Sequence, residues 1–351
     1  MPIYYEPING QTDVATTRTL LHEVIPLTGT IISGTYGIFP NDENVKNYSH
    51  GQFQSVYDYP FLSSSANHIF DLSVGYDESS GYSGSAGRIQ QRKKINMYNQ
   101  MSQVLLGYTG SANTVRKFES DLTLDGSNAM NEVFFVNFSR LVSKDQIKKG
   151  SVSITLVTGA YAPAGAAGGT LTYTDANASN TGGTLNTVGG DYGVLISGTG
   201  ASALTGGVVF YQAGIMVLTA SAFSSSVGLT SNFYKNESVT AVITGSAISG
   251  ACDALRHRIQ NIQFNNTTEI NSTVYFCRAP HNKFNYSSNP TYLSASSIRV
   301  KNNVRANPPI SYITTIGLYN SSNELLAVAK LSEPLRKDPT NELTLRVRLD
   351  Y

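Results

Sequence analysis

Residues 208–219 read VVFYQAGIMVLT, and this stretch decides the fold. Its apolar side chains occupy neighbouring positions rather than every second one, which is typical of a strand that is buried on both faces. Gly214 interrupts the run, and a glycine inside a strand pattern often marks a break. We therefore predict a central strand, or a strand pair broken at Gly214, in the core of the protein.

Shorter strand patterns lie on both sides of this stretch. EVFFVNFSRLV, from Glu132 to Val142, has a strand-like composition, and large apolar residues alternate in SVSITLVT at 151–158. Further strands are predicted in SVTAVIT near 238, STVYFCRA near 272, SSIRVKN near 296 and, towards the C-terminus, YITTIGLYN, ELLAVAKL and NELTLRVRLDY. Because short strands at this spacing are typical of sandwiches, we predict a mainly β fold with a β-sandwich or barrel-like core.

The last three of these strands give the clearest local pattern. The polar run Asn320–Asn323 separates two of them and predicts a hairpin. In the final strand one face carries Leu343, Leu345, Val347 and Leu349, and the opposite face carries Arg346, Arg348 and Asp350. This alternation predicts a half-buried strand, so we expect the terminus to be docked.

One principal amphipathic helix is predicted at about 88–106, in RIQQRKKINMYNQMSQVLLG. Its apolar positions recur at steps of three and four and are Ile95, Tyr98, Met101 and Leu105. Gly107 is placed to end the helix. The cations of its polar face are interpreted as a solvated surface rather than a phosphate site; they are Arg88, Arg92, Lys93 and Lys94.

Residues 158–207 differ in composition, because Gly, Ala, Ser, Thr and Asn fill the segment. With few large apolar side chains it cannot build a core of its own, so we predict a protruding β insertion with strands in LTYT and YGVLI. The chain is thereby divided into an N-terminal part of the core with the helix (1–157), the insertion (158–207) and a C-terminal β part (208–351).

The charge balance limits the classes of partner. Lys and Arg number 25 against 24 Asp and Glu, and a net charge of +1 provides no field to attract nucleic acid or anionic lipid. Charged residues make up only 14% of the chain, against about 25% in typical soluble proteins. A neutral polar surface favours a subunit that buries much of its area against neighbours. No run of apolar residues is long enough to cross a bilayer, and the opening MPIYYEPING lacks a secretory pattern, which favours cytosolic synthesis.

No arrangement of residues indicates an enzyme or a cofactor. Cys252 and Cys277, flanked by His257 and His281, match no common zinc spacing, and the sequence leaves open whether the two cysteines pair. The glycines of 198–203 resemble a dinucleotide fingerprint, but no helix pattern follows them. We therefore predict no catalytic residue and no cofactor. Two carboxylates about 5 to 10 Å apart in a pocket would instead indicate a glycoside hydrolase.

One weak candidate for a metal site lies in the DLTLDG segment. Asp121, Asp125 and Glu132 occupy the first, fifth and twelfth positions of a calcium-loop pattern. Thr123 replaces the third ligand, and Leu122 and Leu124 alternate as in a strand that ends in an Asp-Gly turn. The turn is the favoured interpretation, so no metal is predicted.

The C-terminal residues 312–351, YITTIGLYNSSNELLAVAKLSEPLRKDPTNELTLRVRLDY, resemble the endings of virion structural proteins from large contractile-tailed phages, notably those of cyanobacteria. The resemblance extends through NYSHGQFQSVYDYPFLSSSANHIFDL, INMYNQMSQVLLGY, FFVNFSRLVSKDQIKKGSVSITL and VVFYQAGIMVLT, which span most of the chain outside 158–207. A similar IGL(Y/F) and LLAVA turn also recurs in the baseplate-attachment ends of other phage tail-fibre proteins.

The resemblance implies a virion structural subunit of the neck, tail or baseplate, made in the host cytoplasm and present in several copies. We expect it to contact itself, in a ring, and other virion proteins. The candidate partner-contact residues are Tyr312, Tyr319, Arg346, Arg348 and Tyr351. Two alternatives stay open: a receptor- or glycan-contacting appendage that uses the 158–207 segment and exposed tyrosines, and a capsid decoration protein.

Overall fold

The computed structural model describes two compact units, which are Leu21–Thr268 and a smaller unit that combines Met1–Leu20 with Glu269–Tyr351. The described residues are 5–28, 42–84, 88–109, 114–138, 145–157, 161–162, 165–166, 170–198, 204–223, 239–245, 247–286 and 310–351, without the side chains of 22–28, 161–162, 165–166 and 239–241. Strands account for 47% and helices for 15%, so the predicted mainly β fold is confirmed. The units divide the chain elsewhere than at the 157/158 and 207/208 boundaries expected from composition.

The strands are β1 Val14–Thr28, β2 Val45–Asn47, β3 Gln54–Tyr57, β4 His68–Tyr76, β5 Glu132–Asn137, β6 Asp145–Ile147, β7 Ser153–Val157, β8 Tyr161–Ala162, β9 Gly165–Ala166, β10 Thr170–Thr174, β11 Leu185–Thr187, β12 Gly190–Ser197, β13 Leu204–Phe210, β14 Ile215–Thr219, β15 Ile259–Ala279, β16 Ser311–Tyr319, β17 Leu325–Lys337 and β18 Leu343–Asp350. The α-helices are α1 Ile89–Leu105, α2 Val239–Thr244 and α3 Ile248–Arg256. Short 3-10 turns span Ala176–Ser179 and Ala220–Phe223.

The larger unit is built on an antiparallel sheet with the strand order β15-β7-β10-β12-β13-β14-β5-β4-β3-β2. The predicted strand pair lies at its middle: β13 and β14 pair from Phe210 opposite Ile215 to Gly207 opposite Leu218. The four residues between them turn at Gly214, whose φ of 64° lies in the left-handed region that favours glycine. The predicted break at Gly214 is confirmed.

Both faces of this sheet are covered, which explains the continuous apolar runs. In β5, Phe134 faces one buried cluster, the inner cluster, and Phe135 faces a second, the outer cluster. The inner cluster joins strands that are far apart in the sheet: the rings of Phe138, just after β5, and Phe264 in β15 lie 5.3 Å apart. Because six steps of the strand order separate β5 from β15, the sheet must curl around the inner cluster. This is the sandwich-like or barrel-like core that the sequence predicts.

Helix α1 covers the outer cluster, and the predicted helix is confirmed with its end at Gly107, whose φ is 79°. The helix approaches β4 so closely that a Cβ at Gly75 would lie 2.9 Å from the backbone nitrogen of Tyr98. The interpretation of Lys94 as part of a solvated face is wrong. Its buried ammonium donates to the carbonyls of Ile243 at 2.5 Å and Gly245 at 2.8 Å, at the end of α2.

Residues 170–198 belong to the core rather than to a protruding insertion, so that part of the prediction is wrong. β10 and β12 lie between β7 and β13, and they bury Tyr173, Tyr192 and Leu195. The carboxylate of Asp175, directly after β10, accepts hydrogen bonds from the backbone of Gly150 and Val152 and from the hydroxyl of Tyr211 at 2.8 to 2.9 Å. A segment poor in large apolar residues is thus held by polar contacts and a few aromatic rings.

The smaller unit contains two separate pieces of β-structure. β15 pairs with β18, from Ser272 opposite Asp350 to Ala279 opposite Leu343, and β1 is its other neighbour. β16 and β17 form a two-stranded sheet of their own around the predicted turn at Asn320–Asn323. The hairpin and the docked final strand are confirmed. Both buried clusters of the described residues belong to the larger unit.

The strands predicted in SVTAVIT and SSIRVKN are not among those that the structure describes. Residues Val239–Thr244, within SVTAVIT, form the short helix α2, so the strand predicted there is wrong. The strand predicted in SSIRVKN lies outside the described residues.

Candidate functional site

The hairpin of β16 and β17 exposes large apolar side chains. The exposed fractions range from 44% to 68% for Tyr312, Tyr319, Leu325, Leu326 and Val328. Leu325 and Leu326 lie at a register irregularity of the hairpin, where Tyr319 pairs with Leu325 and Leu318 with Ala327, and both leucine side chains are more than half exposed. An exposed apolar patch of this kind typically marks a protein interaction site.

The base of the hairpin is anchored, whereas its tip is not buried. The buried ammonium of Lys337, at the end of β17, donates to Oδ1 of Asn285 at 2.6 Å and to the carbonyl of Asp338 at 3.0 Å. Burial lowers the pKa of Lys337. At the tip, Oδ1 of Asn320 accepts from the backbone nitrogens of Ser322 and Glu324 at 2.9 and 2.8 Å. These bonds fix the turn and hold the apolar side chains on a defined arm.

Strand β1 offers a second surface, its outer edge. Residues 15–21 are exposed on both faces, and β15 is the only described strand that pairs with β1. The carbonyl of Asp13 accepts from the backbone nitrogen of Phe276, and Arg18 pairs with Glu269. Residue numbers rise along β1 as they fall along β15, so the two strands are antiparallel.

Strand β18 carries the other expected contact residues. Arg346 and Arg348 lie on its exposed face, and Nε of Arg348 donates to Asp350 at 2.7 Å. Hydrogen bonds from Ser272 and Arg348 hold the pKa of Asp350 below its usual value. The backbone of Tyr351 pairs with Asn271 at 2.9 and 3.1 Å, while its side chain is largely exposed. In the described residues β18 pairs only with β15, so its outer edge is open as well.

The sequence analysis names the tyrosines and arginines as contact candidates, but it does not name the exposed leucines or strand β1. A signal was present in both places, since Leu20–Leu21 and Leu325–Leu326 are pairs of adjacent apolar residues. Such a pair predicts a strand that is covered on both faces. All four leucine side chains are instead 45% or more exposed, which the sequence pattern alone does not reveal.

The three carboxylates of the weak calcium candidate are not brought together. Asp121 accepts from the backbone nitrogen of Thr123 at 2.9 Å and from Asn128 at 2.8 Å, and Asp125 accepts from the nitrogen of Ser127 at 2.8 Å. These hydrogen bonds lower the pKa of both groups, although burial of Asp121 works in the opposite direction. Glu132 lies in β5, where Ser80 donates to it. Across the described residues, no group of three or more potential metal-ligating side chains forms a site.

A buried ionic network lies between α3 and the segment before β2. The fully buried guanidinium of Arg256 lies 3.0 Å from Oδ1 of Asp42 and 3.4 Å from Oδ1 of Asp253, and Gln54 donates to Asp253 at 2.7 Å. Although burial raises it, the pKa of Asp42 is lowered overall by the hydrogen bond from His257 and the charge of Arg256. A buried cation balanced by two carboxylates ties α3 to its neighbours, and removing one partner is costly.

A small cleft of about 200 Å³ lies near this network and is lined mainly by polar and aromatic side chains, among them Tyr48, Phe53 and Gln90. No carboxylate lines this cleft, so it does not present the acid pair of a glycoside hydrolase. Cys252 and Cys277 are both free thiols, and burial raises the pKa of each.

Within the described residues, no helix has the length and apolar character needed to cross a membrane. Comparisons of the chain with protein-family models, with curated proteins and with solved structures each found no match.

Proposed function

We propose that this chain is a structural subunit of a tailed-phage virion, placed in the neck, tail or baseplate, which acts by assembling with copies of itself and with neighbouring virion proteins. The observation that carries the proposal is the smaller unit, which combines an apolar hairpin with open strand edges. The resemblance of the C-terminal residues to phage virion proteins gives the class of particle.

The energetics favour a covered hairpin. An isolated two-stranded hairpin is marginally stable in water, and this one adds exposed apolar area. Leu325, Leu326 and Val328 are each exposed by about half or more. Because full burial of such a side chain contributes about 1.5 to 3 kcal/mol, covering the exposed half contributes about 1 kcal/mol per residue. A neighbouring subunit that covers these three side chains therefore gains roughly 3 kcal/mol, and repeated copies in a ring multiply the contact.

The low charge of the chain supports the same function. A surface with few charged residues is costly for a free monomer at high concentration but suits a subunit whose area is buried by neighbours. Among the described residues of the smaller unit, several charged side chains are paired within the chain. Examples are Arg278 with Asp13 at 2.8 Å and Lys283 with Glu6 at 2.6 Å. Paired charges offer little repulsion to an approaching neighbour.

The test is incorporation into particles. In phage carrying the double substitution Leu326→Lys and Val328→Lys, we expect at least a tenfold loss of this chain from purified particles, measured by quantitative mass spectrometry. The matched control is Thr314→Lys with Ser332→Lys, which adds the same charge at exposed polar positions of the hairpin. Equal incorporation of both variants, or absence of the wild-type chain from particles, contradicts the proposal.

Electron cryo-microscopy of wild-type particles then identifies the location. Density in a ring at the neck or baseplate, with the hairpin covered, is the expected result. Density at distal fibre tips would instead favour a receptor- or glycan-contacting appendage, and density on the shell would favour capsid decoration.

A further inference from the structure

We infer that the partner of the open β1 edge is a second copy of this chain, which adds its strand β18 to form one continuous intermolecular sheet. The inference deepens the proposed function, on which it rests, by naming the contact between copies. Four features of the two strand edges support it: they lack protective residues, they run in compatible directions, they have similar lengths, and they carry few unpaired charges.

The outer edge of β1 is unguarded where it is exposed. Native proteins protect a free edge strand with charges, proline, bulges or a covering segment, because its unpaired N–H and C=O groups bind other strands. The second half of β1 contains His22, Glu23 and Pro26, whereas 15–21 contains Arg18 as its only charged residue. Arg18 is already paired with Glu269 of its own chain. The sequence ATTRTLL is rich in β-branched residues and leucine, which favours strand pairing.

The outer edge of β18 matches it. β18 has eight residues, and the exposed part of β1, residues 15–21, has seven. The arginine next to its end, Arg348, is paired with Asp350. The two edges are similar in length, and the ion pairs of Arg18 and Arg348 within the chain leave the exposed Arg346 as the main charge between them.

The direction of the strands selects a head-to-tail contact. β1 and β18 flank β15, and both are antiparallel to it, so β1 and β18 run parallel to each other. When one copy follows another in the same orientation, β18 of the first lies parallel to β1 of the second. Such a contact uses two different surfaces, so it continues from copy to copy and forms a ring where the rotation between copies closes. In a closed ring every β1 edge and every β18 edge is covered.

Cysteine cross-linking tests this pairing directly. Within one chain β15 separates β1 from β18, which places them two strand spacings or about 9.5 Å apart. A disulfide needs a Cα–Cα separation of about 4.4 to 6.8 Å, so a bond between β1 and β18 forms only between copies. The variants carry Thr17→Cys in β1 with Thr344→Cys, Arg346→Cys or Arg348→Cys in β18, three choices that sample the register. Cys277→Ser is the background, because Cys277 lies on β15 between the two strands.

In the purified full-length chain, we expect at least one of these double variants to give an oxidation-dependent ladder of dimers and larger multimers on non-reducing gels. Native mass spectrometry of the unmodified chain should show the same multimers. The matched controls are the single-cysteine variants and the Cys277→Ser background, which should not cross-link.

Each other outcome overturns the inference. A dimer from Thr17→Cys alone shows β1 against β1, a dimer from a β18 cysteine alone shows β18 against β18, and a monomer without cross-links shows no edge pairing. These failures are separable from failure of the proposed function. A chain that is present in particles but never cross-links loses only the edge pairing, whereas a chain that cross-links but is absent from particles loses only the virion role.

Discussion

Removing one hydroxyl group, in Tyr211→Phe, tests how the segment at 170–198 is tied to the core. The Tyr211 hydroxyl donates to the carboxylate of Asp175 at 2.9 Å, and both groups are buried in the larger unit. A hydrogen bond to a charged partner contributes about 1.5 to 3 kcal/mol, and its loss leaves the carboxylate buried with two of its three donors. We expect the free energy of unfolding to fall by about 2 kcal/mol at pH 7.

The loss should depend on pH in a defined direction. Burial raises the pKa of Asp175, and the hydrogen bonds from Gly150, Tyr211 and Val152 lower it only in part. A carboxyl group whose pKa is raised in the folded state stabilises the fold at low pH and loses this contribution as the pH rises through the folded pKa. Without Tyr211 the pKa rises further. The deficit of the variant should therefore be largest at neutral pH and shrink to about 1 kcal/mol or less at about pH 3, which lies below both the usual and the raised pKa of the carboxyl group.

Tyr173→Phe is the matched control. Tyr173 lies in the same inner cluster and is equally buried, but its hydroxyl has no hydrogen-bond partner among the described residues. Removing an unpartnered buried hydroxyl should leave stability unchanged or raise it. Urea unfolding followed by far-ultraviolet circular dichroism at both pH values measures the two variants. Equal effects of the two substitutions, or a Tyr211→Phe deficit that grows towards low pH, would refute the reasoning.

Three further predictions follow from the packing. Gly75→Ala should destabilise the fold by about 1 to 3 kcal/mol, because a Cβ there meets backbone atoms of α1. Gly250→Ala lies on an exposed part of α3 with open space around it and should stabilise the fold by up to about 1 kcal/mol. The midpoint of urea unfolding measures both effects. Millimolar Ca²⁺ and a chelator should leave the melting temperature within 1 °C, since Asp121 and Asp125 accept hydrogen bonds within their own loop and Glu132 lies in β5; a rise that saturates with Ca²⁺ contradicts this. Cys252 should resist alkylation in the native protein and react in urea, because it is fully buried and burial raises its pKa; labelling of Cys252 at the rate of a free thiol would contradict the burial.

The sequence predicts those elements whose pattern is decided locally. Gly214 marks the turn of the central strand pair because a tight turn needs a residue with positive φ. The alternation from Leu343 to Leu349 predicts the docked strand because one face of β18 is more buried than the other. Helix α1 follows from the spacing of its apolar residues, and Gly107 ends it as expected.

The composition of 158–207 predicts a protruding insertion, but glycine is common both in surface loops and at positions of close packing. A Cβ at Gly193 would lie 2.1 Å from the hydroxyl oxygen of Tyr211, and one at Gly206 would lie 2.4 Å from the ring of Tyr173. At these positions the missing side chain of glycine leaves room for a large aromatic side chain from another part of the larger unit. Glycine therefore marks close packing at these two positions, whereas the composition of the segment predicts a protruding insertion.

The remaining misses depend on distant parts of the chain. Burial of Lys94 requires the carbonyls at the end of α2, about 150 residues away, and α2 itself forms from residues that favour strands. Whether β1 or the hairpin is covered depends on partners that no local pattern specifies. The exposed apolar pairs Leu20–Leu21 and Leu325–Leu326 show where such a partner is expected.

The contact between Phe138 and Phe264 also determines when, during synthesis, the sheet of the larger unit can close. These rings are 126 residues apart in the sequence, and the curled sheet of the larger unit closes only when both are available. At about 5 to 20 residues per second, a ribosome needs roughly 6 to 25 s to make the intervening chain. During this interval the aromatic residues of β4 and β5 have no β15 to cover them. We expect the nascent chain to aggregate more readily while these residues are uncovered, so slower translation should lower the soluble yield and chaperone binding during this interval should raise it.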